Sequence, residues 1–159
     1  MTTIRPARLP GDEPAMLAFI DGLQAFEHAL EPNRRLDATV AADHLAVLQA
    51  RLAEHGGAIF LAQDDAGTPL GWAVVHEARD DVYIVEAERR VAYIAELFLV
   101  AAARGTGLGR DLIARCEAWA RERGIGVFKI GVLPGNTRAH DVYVRAGFEP
   151  YAVELRKYL

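Results

Sequence analysis

Apolar positions along this chain change their spacing several times, and each change marks an element. Thr2 to Arg5 predicts a short strand. Asp12-Glu13-Pro14 then opens a helix, with acids and a proline in its first turn. Leu17, Ile20, Leu23 and Leu30 give that helix an apolar face, and Pro32 ends it. A second helix starts near Asp37 or Thr39, with Ala41, Leu45, Leu48 and Leu52 along one side and Gly56-Gly57 closing it. Ala58 to Ala62 and Leu70 to His76 read as a hairpin around the turn Asp64-Asp65-Ala66-Gly67. Val82 to Val85 extends this hairpin or forms an irregular arm.

Val91 to Val100 is a long apolar run, predicted as a central strand buried on both faces. A helix follows from about Gly107 to Arg123, with Leu108, Leu112, Cys116 and Trp119 at helical spacing. Val127 to Val132 predicts another buried strand. Pro134-Gly135-Asn136 turns into a short helix ending at Ala146-Gly147, and Phe148 onward, through Val153 and Leu155, predicts two last strands. The order specifies an α/β (α+β) domain spanning residues 1–159, with a mixed β-sheet of about six to seven strands flanked by about four helices.

Composition narrows the function classes. The net charge of -4 comes with no basic stripe, so nucleic-acid binding has no support. The single cysteine, Cys116, excludes an intrachain disulfide and a sulfur-rich zinc site. Cys116 lies on the apolar side of its helix and reads as core. His28, His44 and His55 fall on helices without metal-ligand spacing, so no metal is expected. No apolar run approaches the roughly 20 residues of a membrane span, and Met1-Thr2-Thr3-Ile4-Arg5 is not a leader, so a cytoplasmic protein is expected.

The chemistry concentrates in Arg104-Gly105-Thr106-Gly107-Leu108-Gly109. Glycines let backbone N–H groups approach a ligand, and the first amides of a helix lack internal partners. Together they suit an anion, most often a phosphate. A nucleoside-triphosphate loop needs Lys and Ser/Thr after its last glycine, but Arg110-Asp111 follows here. A dinucleotide fingerprint needs G-x-G-x-x-G and an acid at the end of the next strand, and that strand ends in Leu133-Pro134.

Arg104-x-x-Gly107-x-Gly109 resembles the R/Q-x-x-G-x-G/A loop of the GNAT acetyltransferase superfamily. Glu96-Leu97-Phe98-Leu99-Val100 is similar to that family's central strand. Asn136-x-x-Ala139-x-x-x-Tyr143-x-x-x-Gly147-Phe148 resembles its N-x-x-A-x-x-x-Y-x-x-x-G-F segment. The resemblance covers about Ala92 to Phe148. Ala101-Ala102-Ala103 stands where the family often has a proline.

The resemblance implies acetyl-CoA as co-substrate. Its pyrophosphate would lie on Arg104, Gly105, Thr106, Gly107, Leu108, Gly109 and Arg110, and its pantetheine arm on the backbone of Leu97, Phe98, Leu99 and Val100, with Asn136 and Tyr143 alongside. Arg104 and Arg110 bring positive charge to the loop.

Glu96 is the only charged residue between Arg90 and Arg104. A carboxylate in an apolar strand needs a partner or a task. It is a general-base candidate for deprotonating an amine, or a binder of a cationic amine, or a partner for Arg89. Tyr143 is either a general acid for the departing thiolate, as the resemblance implies, or a core aromatic. Asn136 reads as a helix N-cap and, by resemblance, as a cofactor contact.

The expected activity is N-acetyl transfer to a small-molecule or peptide amine by direct attack in a ternary complex, with no nucleic-acid or membrane partner. Asp80, Asp81, Glu86 and Glu88 suit a cationic acceptor or form a solvated arm. A homodimer through the last strands is expected by analogy. The alternatives are a non-catalytic coenzyme A sensor or interaction module, and a related O-acyl or longer-chain acyltransferase.

Overall fold

In a computed structural model describing residues 1–159, two layers of helix enclose a mixed sheet ordered β1-β2-β3-β4-β5. The strands are β1 (Thr3–Pro6), β2 (Gly57–Gln63), β3 (Pro69–Arg79), β4 (Arg90–Leu99) and β5 (Val127–Ile130). The helices are α1 (Glu13–Leu30), α2 (Val40–His55), α3 (Glu86–Arg89), α4 (Leu108–Glu122) and α5 (Thr137–Arg145). β1 to β4 pair antiparallel, and β4 pairs with β5 in parallel. The β2–β3 turn is held by Asp64, whose carboxylate accepts from the N–H groups of Ala66 and Thr68 at 2.9 and 2.8 Å.

One face of the sheet carries α1 and α2. Met16, Phe19, Ile20, Leu45 and Leu48 pack there on Leu61, Trp72 and Val74. The other face carries α4, whose Leu108, Leu112, Cys116 and Trp119 pack on Phe60, Ala73, Val75 and Ile94. Each such fully buried apolar side chain contributes about 1.5–3 kcal/mol. Burial pushes the Cys116 thiol up to about 12, so it remains a protonated core group.

β3 and β4 are not in simple register. Val74 faces Glu96 while Val75 faces Ile94, so Ala95 is an extra residue, a β-bulge. Ile94 packs on the α4 side, and Ala95 and Phe98 pack on the α1/α2 side. The bulge therefore reverses the alternation and turns Glu96 toward α2.

The sheet has five strands rather than six or seven. Phe148 onward forms no strand, because beyond Phe148, which packs on Phe128 and Tyr143, the apolar residues find no surface to cover. Tyr151, Val153 and Leu155 are exposed, and the tail is fastened by Arg156 to Glu31 at 2.7 Å and by Tyr151 over Lys129. The homodimer expected through these strands has no formed strands to run through in the single chain. Val82 to Val85 is an irregular arm ahead of α3, which raises the helix count to five. Val127 to Ile130 is a half-buried edge strand, not a strand covered on both faces. Leu97 to Leu99 are also only partly buried, because β5 pairs with β4 no further than Ile94. No helix is long and apolar enough to cross a membrane.

Candidate active site

The site grows from the point where β4 and β5 part. Their parallel pairing runs from Val91–Val127 to Ile94–Ile130 and stops, while β4 continues to Leu99. Beyond Ile94 the strand has β3 on one side only. The Val100 N–H donates to the Leu70 carbonyl of the β3 edge at 2.9 Å. Alternation along an antiparallel pair puts Phe98 on that same edge, so the Leu97 and Leu99 amides face the opening. Of the four predicted backbone contacts, Leu97 and Leu99 have free N–H groups. The Val100 N–H is already used, and Phe98 offers its ring instead.

At the end of β4, Ala101–Ala103 form a single 3-10 turn that leads into the glycine loop. The missing proline is replaced by this turn, with Ala103 buried beneath α4. Gly105 and Gly107 have φ of 81° and 93°, left-handed values that cost a side-chain-bearing residue about 1–2 kcal/mol. Gly107 is the N-cap of α4, and Gly109 lies within its first turn. From Gly105 to Arg110, no backbone N–H has a hydrogen-bond partner in the chain; the next, Asp111, donates to the Gly107 carbonyl at 3.1 Å. These amides, at the positive end of α4, are a ready anion cradle. The Thr106 hydroxyl is spent on the Ala103 carbonyl at 2.8 Å.

The charges around the cradle differ from expectation in one respect. Arg104 turns back, donating from Nε to the Leu99 carbonyl at 3.0 Å, with its guanidinium over the Phe26 and Phe98 rings. It braces the loop against β4 and α1. Arg110 stays at the loop, and α5 brings a second cation that sequence reasoning missed. A Cβ on Gly105 would lie 3.7 Å from Arg138 Nη2, and one on Gly107 would lie 3.7 Å from Arg110 Nη2. The signal for Arg138 was its place two residues after Asn136, at the start of a helix that returns to the loop.

Glu96 lies on the other face of β4, 7% exposed, and its Oε1 is 2.6 Å from His44 Nε2 of α2. This overturns a pairing with Arg89, which instead holds Glu86 at 2.9 Å and the Asp80 carbonyl at 3.1 Å. The hydrogen bond to Glu96 raises the affinity of His44 for protons, against a smaller opposing effect of burial. His44 is the second group missed in the sequence, because helical spacing shows which face is apolar but not which strand residue it meets.

Tyr143, on α5, is half-buried, with its ring edge-on to Phe148 at 6.1 Å. Burial, then the nearby Glu27 and Tyr93, push its phenol up to about 12. It stays protonated through the neutral range, with an O–H available to donate. It also packs on the edge of the α4-side core, so the aromatic-core and acid readings are compatible. Tyr93 of β4 reaches the gap between the strands, where a Cβ on Gly131 would come within 2.8 Å of its hydroxyl. Asn136 caps α5, its Oδ1 accepting from the Ala139 N–H at 3.2 Å, and Gly147 ends the helix region with φ of 96°.

The acids of the arm are mostly spoken for. Asp80 pairs with Lys129, Glu86 with Arg79 and Arg89, and Asp81 accepts from the Val82 N–H at 2.7 Å. They form a braced arm rather than a free negative patch.

A strand that parts from its parallel neighbour, beside a glycine cradle at a helix N-terminus, is an arrangement suited to an anionic carrier lying along one strand edge. The profile of the acetyltransferase (GNAT) family matches residues 23–148, and the chain belongs to that family. Its members use acetyl-CoA as co-substrate. The chain is 31% identical over 109 residues to the aminoglycoside N(6')-acetyltransferase type 1 of Stenotrophomonas maltophilia, covering 69% of this chain and 71% of that one. The fold is shared with an aminoglycoside antibiotic 6'-N-acetyltransferase from Acinetobacter haemolyticus at a TM-score of 0.72, 20% identity and 99% of both chains. It is shared too with a predicted acetyltransferase from Clostridium acetobutylicum, solved with acetyl-CoA, at a TM-score of 0.76 and 18% identity over 99% of this chain and 96% of that one.

Proposed function

We propose that the chain is an acetyl-CoA-dependent N-acetyltransferase, a single domain over residues 1–159, acting on a primary amine by direct attack in a ternary complex. The observation that carries this reading is the run of partnerless amides from Gly105 to Arg110, continuous with the open Leu97 and Leu99 edge of β4. The cradle and Arg110 and Arg138 suit a pyrophosphate, and the strand edge suits an amide-bearing arm. Acetyl-CoA supplies the activated thioester there. The Leu97 and Leu99 N–H groups lie where they can polarise a carbonyl.

An alkyl amine is mostly protonated near neutral pH, and acyl transfer needs its lone pair. Glu96 is the base that removes the ammonium proton, its Oε2 being the oxygen left free by His44. Tyr143 donates to the departing sulfur. The curated relative acetylates an aminoglycoside by name, which favours a small polyamine-like acceptor over a protein.

The test is thiol release from acetyl-CoA against a panel of aminoglycosides, polyamines and lysine peptides. We expect turnover with an aminoglycoside or polyamine, and losses of about 10²-fold in Glu96→Gln and about tenfold in Tyr143→Phe. Binding of coenzyme A without acetylation of any amine would establish the sensor reading instead. Unchanged turnover in both variants would remove the two catalytic assignments.

A further inference from the structure

Acetylation of an ammonium group has a proton balance that sets the buried Glu96 a geometric task. Two N–H bonds break as the C–N bond forms and the C–S bond breaks. One proton ends on the coenzyme A thiol and the other must reach solvent. A carboxylate 7% exposed, on a strand covered by α1 and α2, can take it only if one oxygen is kept free and aimed at the acceptor.

We propose that His44 is the positioning residue that orients Glu96, a role that rests on the acetyl-transfer reading. Its Nε2 holds Glu96 Oε1 at 2.6 Å, and its side chain, 38% exposed, is the solvent-side member of the pair. It lines a recess of about 220 Å³ with Gln24, Arg35, Val40, Asp43 and Val47, open to water between α1 and α2. Its Nε2–H donates to Oε1, which leaves Oε2 free on the acceptor side, and the ammonium proton forms its O–H bond there. After the amide has formed, Glu96 passes that proton from Oε2 to water entering the vacated acceptor site, while the N–H of His44 keeps the carboxylate in place.

The groups that set its charge come from three elements. Glu96 of β4 favours the imidazolium, Arg51 of α2 opposes it, and Glu27 of α1 favours it. Arg35 and Asp43 at the recess are paired with each other at 3.0 Å. As an imidazolium, His44 holds the Glu96 carboxylate as a full ion pair and makes it a weaker base, so turnover falls as pH drops and His44 gains its proton.

The experiment measures kcat and the acceptor KM against pH for wild type, His44→Gln and His44→Ala, with acetyl-CoA and the best aminoglycoside or polyamine of the panel. Calorimetric acetyl-CoA binding and thermal melting serve as folding controls. In both variants we expect kcat to fall about tenfold with little change in acceptor KM, and the acid limb to move to lower pH. Free imidazole in the buffer should restore His44→Ala, because the vacated ring position opens on the recess. A folded His44→Ala with unchanged kcat and acid limb overturns the proposal. So does a loss that imidazole does not restore and that leaves the limb in place, which marks a merely structural histidine. A wild type that acetylates nothing overturns the acetyl-transfer reading itself, and the role of His44 with it.

Discussion

The two sides of β4 are built from different materials. Toward β5 and the loop, the chain presents backbone: the Leu97 and Leu99 edge and the amides from Gly105 to Arg110. Toward α1 and α2 it presents side chains: Glu96, His44 and the ring of Phe98. A backbone site is defined by dihedral angles and by where pairing stops, so it tolerates many side chains and persists across a family. A side-chain site depends on which residues meet across the fold, and it can be rewritten by single substitutions. This is the physical reason that the donor end of a reaction can be shared while acceptors diverge.

Four substitutions test this division. The largest effect is expected from Glu96→Gln, which should lower kcat about 10²-fold or more while calorimetric acetyl-CoA affinity stays unchanged. A parallel loss of donor affinity would show that the two sides are not separable. Gly107→Val should do the reverse, weakening acetyl-CoA binding about tenfold or more and lowering stability by about 1–2 kcal/mol through the left-handed backbone. Retention of full donor affinity would show that the cradle geometry is not what holds the anion. Arg138→Ala should weaken acetyl-CoA binding about two- to fivefold, with a salt dependence lower than that of wild type. Asn136→Ala should cost about 1 kcal/mol in thermal or denaturant unfolding through loss of the α5 cap, with a small effect on turnover. A large loss of donor affinity in Asn136→Ala would give that side chain a direct role on the cofactor.

Most of the backbone side was legible in the sequence. Gly105, Gly107 and Gly147 carry their meaning locally, since a left-handed residue needs glycine whatever surrounds it. Asn136 as a cap is equally local. The helix faces of α2 and α4 followed from spacing, because Ala41, Leu45 and Leu48, and then Leu112, Cys116 and Trp119, repeat with the helical period. What escaped was long-range. His44 meets Glu96 across 52 positions, and no period in α2 announces that partner. Arg138 reaches Gly105 only because α5 folds back to the loop. Arg104 is legible as a cation at the loop, but its engagement with the Leu99 carbonyl and two aromatic rings is set by the fold. The tail alternates as a strand does, but alternation does not create a neighbour to pair with.

The Ala95 bulge bears on how this chain can change length. Ile94, Leu97 and Leu99 point toward α4, while Ala95, Glu96 and Phe98 point toward the other helices. Removing Ala95 would restore strict alternation with Glu96 still toward α2, whereas removing Leu97 would turn Phe98 toward α4 and Leu99 toward α1 and α2, exchanging the two layers. The segment from Glu96 to Leu99 therefore admits substitutions but not the insertion or deletion of one residue. The irregular arm at Val82 to Val85 and the tail beyond Phe148 carry no such parity. Indels in descendants of this sequence should collect there, reshaping the acceptor side while the frame of β4 stays counted residue by residue.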